Sequence, residues 1–225
     1  MNPKEQAGEA ALRYINSGMN VGLGTGSTTD YFLLALGREI RAGRLTNIKG
    51  VPTSVKSENR SKELGIPLCQ LRDVPYLDVA VDGADEVDPN LNLIKGLGGA
   101  LLREKIVAQA AKKFVVIADS SKKVQALGTK APLPVEVTQF AHDAQIRFFR
   151  ALGCEPVLRK TPDGQPFITD NGNVIYDCRF PRIDDPAALE LKLLKHAGIV
   201  ETGLFIGIAS VVLIAGESGV EQLGG

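Results

Sequence analysis

Short, continuous apolar runs alternate with helical patterns through the first 120 residues of the chain. The runs "MNVGLG", "LDVAVDG" and "FVVIAD" each end at glycine or aspartate, whereas "STTDYFLLALGREIRAG" and "LLREKIVAQAAKKF" have helical spacing. Strands that are apolar throughout are typical of a parallel sheet buried on both faces. The alternation of strands and helices favours the same architecture. The sequence therefore predicts an α/β fold with a Rossmann-like, mainly parallel sheet, in which "IPLCQL" (66–71) is a further short strand.

The pattern changes after "KAPLPVEV", where two prolines mark a hinge. Strand and helix signals then follow in the order βαββαβ, the split layout of a small ferredoxin-like α+β domain. The predicted ranges are strand 134–139, helix 141–152, strand 155–160, strand 173–180, helix 186–196 and strand 199–203. We therefore expect a first domain over residues 1–130, completed by 206–225, and a smaller α+β domain over 131–205.

Composition argues against several function classes. Lysine plus arginine and aspartate plus glutamate both number 26, so the formal net charge of zero attracts neither nucleic acid nor an anionic membrane. Tryptophan is absent, which also argues against a base-stacking surface. The first residues contain no signal-peptide core, and the stretch "GLFIGIASVVLIAG" is too short to span a bilayer. We expect a cytoplasmic protein with no nucleic-acid or membrane partner.

The segment "GLGTGSTT", residues 22–29, lies between a predicted strand and a predicted helix. Glycines let backbone N–H groups approach an anion, and the helix N-terminus adds a positive dipole end, so one interpretation is a phosphate cradle. A tight βα turn with a Ser/Thr N-cap explains the motif about as well. Serine replaces the third glycine of the dinucleotide fingerprint, and no lysine follows Gly26 as in the nucleotide P-loop. The loop is therefore suited to a single phosphate rather than a nucleotide.

Two further segments carry charged residues next to glycines. In "VDGADEVD", Asp82 and Asp85 follow a predicted buried strand, at the sheet edge where α/β proteins bind ligands. The alternative is an Asp-Gly turn with solvated acids, and Glu86 and Asp88 are expected to be such solvated residues. The spacing is not that of a calcium loop. In "IKGLGGALLREKIV", Lys95 precedes a glycine-rich turn and Glu104 lies on the following helix. Taken alone, this segment is more typical of a glycine-rich helix start with an ordinary charged face.

Taken together, "GLGTGSTT", "VDGADEVD" and "KGLGGALLREK" strongly resemble type A ribose-5-phosphate isomerases. Further matching segments are "VVIADSSKKV", "LGTKAPLPVEV", "TDNGNVIYDCRF" and "GLFIGIA", so the resemblance covers nearly the whole chain. It implies an enzyme that interconverts D-ribose 5-phosphate and D-ribulose 5-phosphate through an enediol, in the non-oxidative pentose phosphate pathway. It also implies no cofactor and no metal, a small sugar phosphate as the substrate, and a homodimer or homotetramer.

The resemblance also implies roles for individual residues. Glu104 would be the base that moves a proton between C1 and C2, and Lys95 would stabilise charge on the enediolate oxygen. Asp82 and Asp85 would deliver protons to the sugar oxygens. The residues implied to bind substrate are Thr25, Gly26, Ser27, Thr28, Gly83, Ala84, Gly96, Leu97, Gly98 and Lys122.

Some features depart from the family pattern or leave other functions open. Leu97 stands where the family often has a glycine, and Lys4 aligns with an N-terminal lysine that helps to bind phosphate. A non-catalytic sugar-phosphate-sensing module of related fold is the main alternative, but no basic helix-turn-helix segment accompanies it here. An amino-sugar-phosphate deaminase would need a catalytic histidine, and neither His142 nor His196 has a suitable partner. An acyl-CoA transferase would need a glutamate nucleophile in a different motif.

Overall fold

The structure is a computed structural model that describes residues 2–225. Within these residues the α-helices are α1 (Pro3–Ala11), α2 (Ser27–Arg41), α3 (Val55–Glu63), α4 (Leu101–Gln109), α5 (Gln145–Ala151) and α6 (Pro186–Leu194). The strands are β1 (Asn20–Leu23), β2 (Lys49–Pro52), β3 (Val79–Gly83), β4 (Glu86–Val87), β5 (Leu93–Ile94), β6 (Phe114–Asp119), β7 (Leu133–Val137), β8 (Glu155–Leu158), β9 (Val174–Arg179), β10 (Ile199–Thr202), β11 (Leu204–Phe205), β12 (Val211–Gly216) and β13 (Gly219–Gly224).

The chain forms two compact units. The first unit comprises residues 2–84, 103–122 and 208–225, and the second comprises residues 85–102 and 123–207. Segment 85–102, which the sequence-based boundaries join to the first domain, is thus grouped with the second unit. The boundaries at residues 130 and 206 stay a prediction.

A six-stranded sheet in the order β13-β12-β6-β3-β1-β2 forms the centre of the first unit. All its neighbouring strands are parallel except β13, which runs antiparallel to β12. Helices α1 and α2 supply Ala7, Ala11, Phe32 and Leu36 to the core beside Val81 of the sheet. The predicted Rossmann-like, mainly parallel sheet is confirmed.

The other face of this sheet carries small residues where α4 packs. A Cβ atom added at Gly22 would lie 2.5 Å from the Val107 side chain and 2.8 Å from the Ala80 Cβ. Glycine at position 22 therefore lets α4 lie close to the sheet. Because Glu104 precedes Val107 by three residues, it lies on the same face of the helix.

The second unit contains a four-stranded antiparallel sheet in the order β10-β7-β9-β8. With α5 between β7 and β8 and α6 between β9 and β10, the unit has the predicted βαββαβ layout. Phe149, Tyr176 and Leu193 are buried in its core. A separate three-stranded sheet, β11-β5-β4, completes the unit.

The predicted strand at 66–71 is wrong. Only Leu68 bridges to Gly50, and residues 71–73 form a 3₁₀ turn. Pro67 has no N–H to donate, so pairing beside β2 is limited to one bridge.

None of the helices in residues 2–225 has both the length and the apolar composition that crossing a membrane requires.

Candidate active site

The predicted site residues of the first unit follow strands that end at one edge of the sheet. Strands β1, β3 and β6 are parallel neighbours, with Leu23 paired to Val81 and Gly83 paired to Ile117. Residues 24–28 follow β1, Asp82 and Gly83 end β3, and Lys122 ends the 3₁₀ turn after β6. In open α/β sheets this carboxyl edge is where ligands bind.

The Asp82 carboxylate is buried against the glycine loop. A Cβ atom at Gly24 would lie 2.2 Å from Asp82 Oδ1, so only glycine leaves room for this contact. Asp82 Oδ1 accepts hydrogen bonds from the Thr25 N–H at 3.0 Å, the Gly83 N–H at 2.7 Å and the Thr29 hydroxyl at 3.3 Å. The loop and the acidic strand end are thus held as one unit.

Two hydroxyl residues that sequence reasoning missed support the same loop. Thr25 Oγ1 lies 2.7 Å from both Thr53 Oγ1 and Ser54 Oγ. The Thr53 hydroxyl donates to the Leu23 carbonyl at 3.1 Å, and Ser54 is the N-cap of α3. Both are almost fully buried. The sequence feature that could have indicated them is "VPTS" at the end of β2, which places two hydroxyls at the same sheet edge as "GTGS".

Helix α2 begins with geometry that suits an anion. Its N-cap is Gly26, whose φ of 138° is unfavourable for other residues and which has no side chain to cap the first turn. Backbone N–H groups of a first turn have no partner within the helix. Ser27 and Thr28 lie in this turn, and Lys4 Nζ donates to Ser27 Oγ at 2.9 Å. A cation, free donors and hydroxyls therefore meet at one helix start.

Glu104 and Asp82 line one narrow crevice of the first unit. The crevice has an empty volume of about 140 Å³, and Gly24 and Thr53 of the loop region also line it. Both carboxylates are only 3% exposed. The approach of α4 to Gly22 and Ala80 brings Glu104 into this position. The structure therefore places two predicted catalytic carboxylates beside the predicted phosphate loop.

A larger groove of the first unit, with an empty volume of about 1240 Å³, lies elsewhere. Arg103, Ile106 and Cys69 line it, and none of the predicted site residues does. The large groove lacks Asp82, Glu104 and the glycine loop. The narrow crevice is therefore the better candidate for the site of the reaction.

The second unit contains the remaining predicted site residues. The Leu97 N–H donates to Asp85 Oδ2 at 3.0 Å, and the Asp85 N–H donates to the Ile94 carbonyl at 2.8 Å. Lys95 is 2% exposed, and its ammonium lies 5.2 Å from the centre of the Phe205 ring. Residues 96–99 form a turn in which Gly96 has a φ of 101°. Asp85, Lys95 and the Gly96–Gly98 turn are thus neighbours.

Glu86 and Asp88 are not the solvated residues that the sequence suggested. The Glu86 side chain is fully buried and accepts backbone N–H groups of Gly128, Lys130 and Ala131 at 2.5–2.7 Å. Asp88 accepts the N–H groups of Asn90 and Asn92, both at 2.8 Å. Two of the four acids of this segment therefore hold turns together.

Within residues 2–225, no group of three or more His, Cys, Asp or Glu side chains is placed to hold a metal ion.

These features define an α/β protein with a loop suited to an anion and buried carboxylates at the carboxyl edge of its sheet. Comparison with known proteins is consistent with this class. Residues 49–219 match the family model of ribose 5-phosphate isomerase A (phosphoriboisomerase A). A ribose-5-phosphate isomerase A of Roseiflexus castenholzii is 52% identical, over 98% of this chain and 94% of that protein.

Solved structures agree with the sequence comparisons. The ribose 5-phosphate isomerase A of Methanocaldococcus jannaschii is 40% identical, with a TM-score of 0.94 over 100% of this chain and 99% of that chain. A D-ribose-5-phosphate isomerase in complex with phospho-erythronic acid is 44% identical, with a TM-score of 0.97 over 100% of both chains. The chain belongs to the ribose 5-phosphate isomerase A family. The comparisons give no support to a non-catalytic sugar-phosphate-sensing module.

Proposed function

We propose that this protein is the isomerase that interconverts D-ribose 5-phosphate and D-ribulose 5-phosphate through an enediol. Three comparisons support this activity: the family model, relatives with about 50% sequence identity, and solved isomerase structures of similar fold. The reaction moves one proton from C2 to C1 and transfers a hydroxyl proton from O2 to O1. It therefore needs a base, a group that stabilises negative charge on oxygen, proton donors and a phosphate anchor.

The start of α2 is the phosphate anchor in this proposal. A phosphate there would meet free backbone N–H groups, the hydroxyls of Ser27 and Thr28, and the Lys4 ammonium bonded to Ser27. The hydroxyl contacts of Thr25 with Thr53 and Ser54 fix the loop before substrate binds. Preorganised donors of this kind position a substrate without a further entropic cost. Gly83, Ala84, Gly96–Gly98 and Lys122 stay proposed substrate contacts.

Glu104 is the proposed base, and Asp82 the proposed proton donor beside it. The observation that carries this assignment is that both carboxylates are buried in one crevice next to the glycine loop. A carboxylate that is 3% exposed acts away from bulk water, where electrostatic interactions are stronger. Asp82 is oriented by three donors, so its position is fixed for transfer to a sugar oxygen.

Lys95 and Asp85 complete the proposed set of roles. Lys95 would stabilise the enediolate oxygen, because an ammonium in a water-poor environment is far more effective than one in solvent. Asp85 would exchange protons with a sugar hydroxyl, oriented by the Leu97 N–H. The family resemblance supports both roles. Assembly into a homodimer or homotetramer and a cytoplasmic location stay predictions from the sequence.

Replacing Glu104 tests the proposed base. Glu104→Gln preserves the shape of the side chain but cannot take up the C2 proton. We expect kcat to fall by about a hundredfold to ten-thousandfold, with KM for ribose 5-phosphate nearly unchanged. Ribulose 5-phosphate formation is followed by NMR.

Glu63→Gln is the matched control, since the Glu63 side chain lies on α3 and is 65% exposed. It should keep full activity. A Glu104→Gln enzyme that retains more than half of the wild-type kcat would contradict the assignment.

A further inference from the structure

Arg159 is clamped in the antiparallel sheet of the second unit. It follows β8, and its N–H donates to the Ile175 carbonyl at 2.8 Å. Its guanidinium donates twice to Asp177 of β9, with Nε 2.9 Å from Oδ2 and Nη2 bonded to Oδ1. The two side chains are only 12% and 21% exposed. A bidentate ion pair between a strand and the segment that follows its neighbour has little freedom to move.

The remaining nitrogen of Arg159 reaches the glycine-rich turn after Lys95. Nη1 donates to the Gly96 carbonyl at 2.9 Å and to the Leu97 carbonyl at 3.1 Å. The Gly96 carbonyl also accepts the Gly99 N–H at 3.0 Å, which closes the turn. The Phe167 ring packs against Gly99, where a Cβ atom would lie 2.5 Å from the ring. The turn is thus held to the sheet by one cation and one ring.

The peptide group between Gly96 and Leu97 links Arg159 to Asp85. Its carbonyl accepts from Arg159, and its N–H donates to Asp85 Oδ2 at 3.0 Å. A peptide group is planar, so fixing its carbonyl fixes the direction of its N–H. A cation at the carbonyl also polarises the group, which strengthens the N–H as a donor. The orientation of Asp85 therefore depends on a side chain that has no role in the reaction as described above.

We propose that Arg159, held by Asp177, is a positioning residue for the isomerase reaction. It sets the Gly96–Leu97 peptide, and through it the Asp85 carboxylate and the neighbouring Lys95 backbone. The proposal rests on the isomerase function and on the roles of Asp85 and Lys95. It gives the antiparallel-sheet part of the second unit a role in catalysis that the sequence did not predict.

Arg159→Met tests the proposal, because methionine fills the space but donates no hydrogen bond. We expect kcat to fall about tenfold to a hundredfold, the size of effect that a small misplacement of a reacting group produces. KM should stay within about threefold, since the phosphate loop is in the other unit. Arg159→Lys keeps the charge and one donor, so it should recover part of the lost kcat.

Two further variants separate positioning from stability. Arg159→Met leaves the half-buried Asp177 without its ion-pair partner, so the double variant Arg159→Met/Asp177→Leu removes that penalty. It should regain the wild-type melting temperature but keep the low kcat. Arg150→Met is the control, because its pair with Glu155 lies in the same unit and is exposed. It should leave kcat unchanged.

The results that would overturn the proposal are distinct from failure of the isomerase function. Wild-type protein that does not convert ribose 5-phosphate removes the function itself. Active wild type together with an Arg159→Met/Asp177→Leu variant of normal kcat removes only the role of Arg159. A kcat that returns to normal together with the melting temperature would show that the pair is merely structural.

Discussion

At the scale of single residues, the Asp82 carboxylate can lie where it does because Gly24 has no Cβ atom. The carboxylate occupies the space that any Cβ at position 24 would need, and the next N–H of the loop donates to it. Burial without donors would be costly for a carboxylate, and three donors offset that cost. Gly24 therefore leaves room for the Asp82 carboxylate of the neighbouring strand, in addition to the proposed approach of a phosphate to the loop.

Gly24→Ala should disable the enzyme while leaving most of the fold intact. The added methyl would displace Asp82 and strain the loop, with an overpacking cost of about 1–3 kcal/mol. We expect kcat/KM for ribose 5-phosphate to fall at least tenfold, because a displaced catalytic group loses alignment. Steady-state kinetics measure the effect.

Gly216→Ala is the matched control for this change. Gly216 ends β12 in the same sheet, and an added Cβ would meet only Ser120 at an ordinary 3.6 Å. It should have nearly wild-type kinetics. Equal kinetics for Gly24→Ala and wild type would show that the Asp82 position does not matter.

At the scale of elements, the short strand β4 is tied to a distant turn by Glu86. Its two carboxylate oxygens accept three backbone N–H groups from residues 128–131, all within the second unit. Turns seldom bury their backbone donors without a partner, and here one side chain satisfies three of them. This contact explains why a glutamate is buried at this position.

Glu86→Gln should destabilise the protein by about 2 kcal/mol. The amide NH₂ would face one of the N–H groups that the carboxylate accepts, leaving a buried donor unsatisfied. Urea unfolding followed by circular dichroism measures the loss.

Glu155→Gln is the control, because that side chain is 67% exposed on β8. It should change the free energy of unfolding by less than about 0.5 kcal/mol. If Glu86→Gln were as stable as this control, the turn would not depend on the buried carboxylate.

The sequence predicted the long elements well and the short ones poorly. Strands β1, β3 and β6 are continuous apolar runs, and the helices between them have clear spacing, so their signals are strong. Strands β4, β5 and β11 have two residues each, which is too short for any periodicity. Strand β13 is polar and glycine-rich at the sheet edge, and it was not predicted.

The candidate site shows a similar division between local and distant information. The position of Asp82 and the loop residues after strands makes them candidates, and the family resemblance assigns their roles, as it does for Glu104 and Lys95. The support from Thr53, and the roles of Glu86 and Arg159, depend on residues far along the chain. No local pattern distinguishes such side chains from ordinary surface polar residues. Long-range contacts of this kind become visible only in the folded chain.

At the scale of the whole molecule, the two units contribute different parts of the proposed chemistry. The first unit contains the proposed phosphate-binding start of α2, Asp82 and Glu104, and the second contains Asp85 and Lys95. Family membership over nearly the full chain supports one reaction for both. We propose that this protein carries out the isomerisation with its own side chains and without a metal ion.

Turnover of ribose 5-phosphate by the purified wild-type protein in the presence of EDTA tests that claim most directly. NMR distinguishes ribose 5-phosphate from ribulose 5-phosphate in the same sample. We expect a prompt approach to equilibrium between the two sugars, at a rate that EDTA does not change. Binding of ribose 5-phosphate without formation of ribulose 5-phosphate would contradict it.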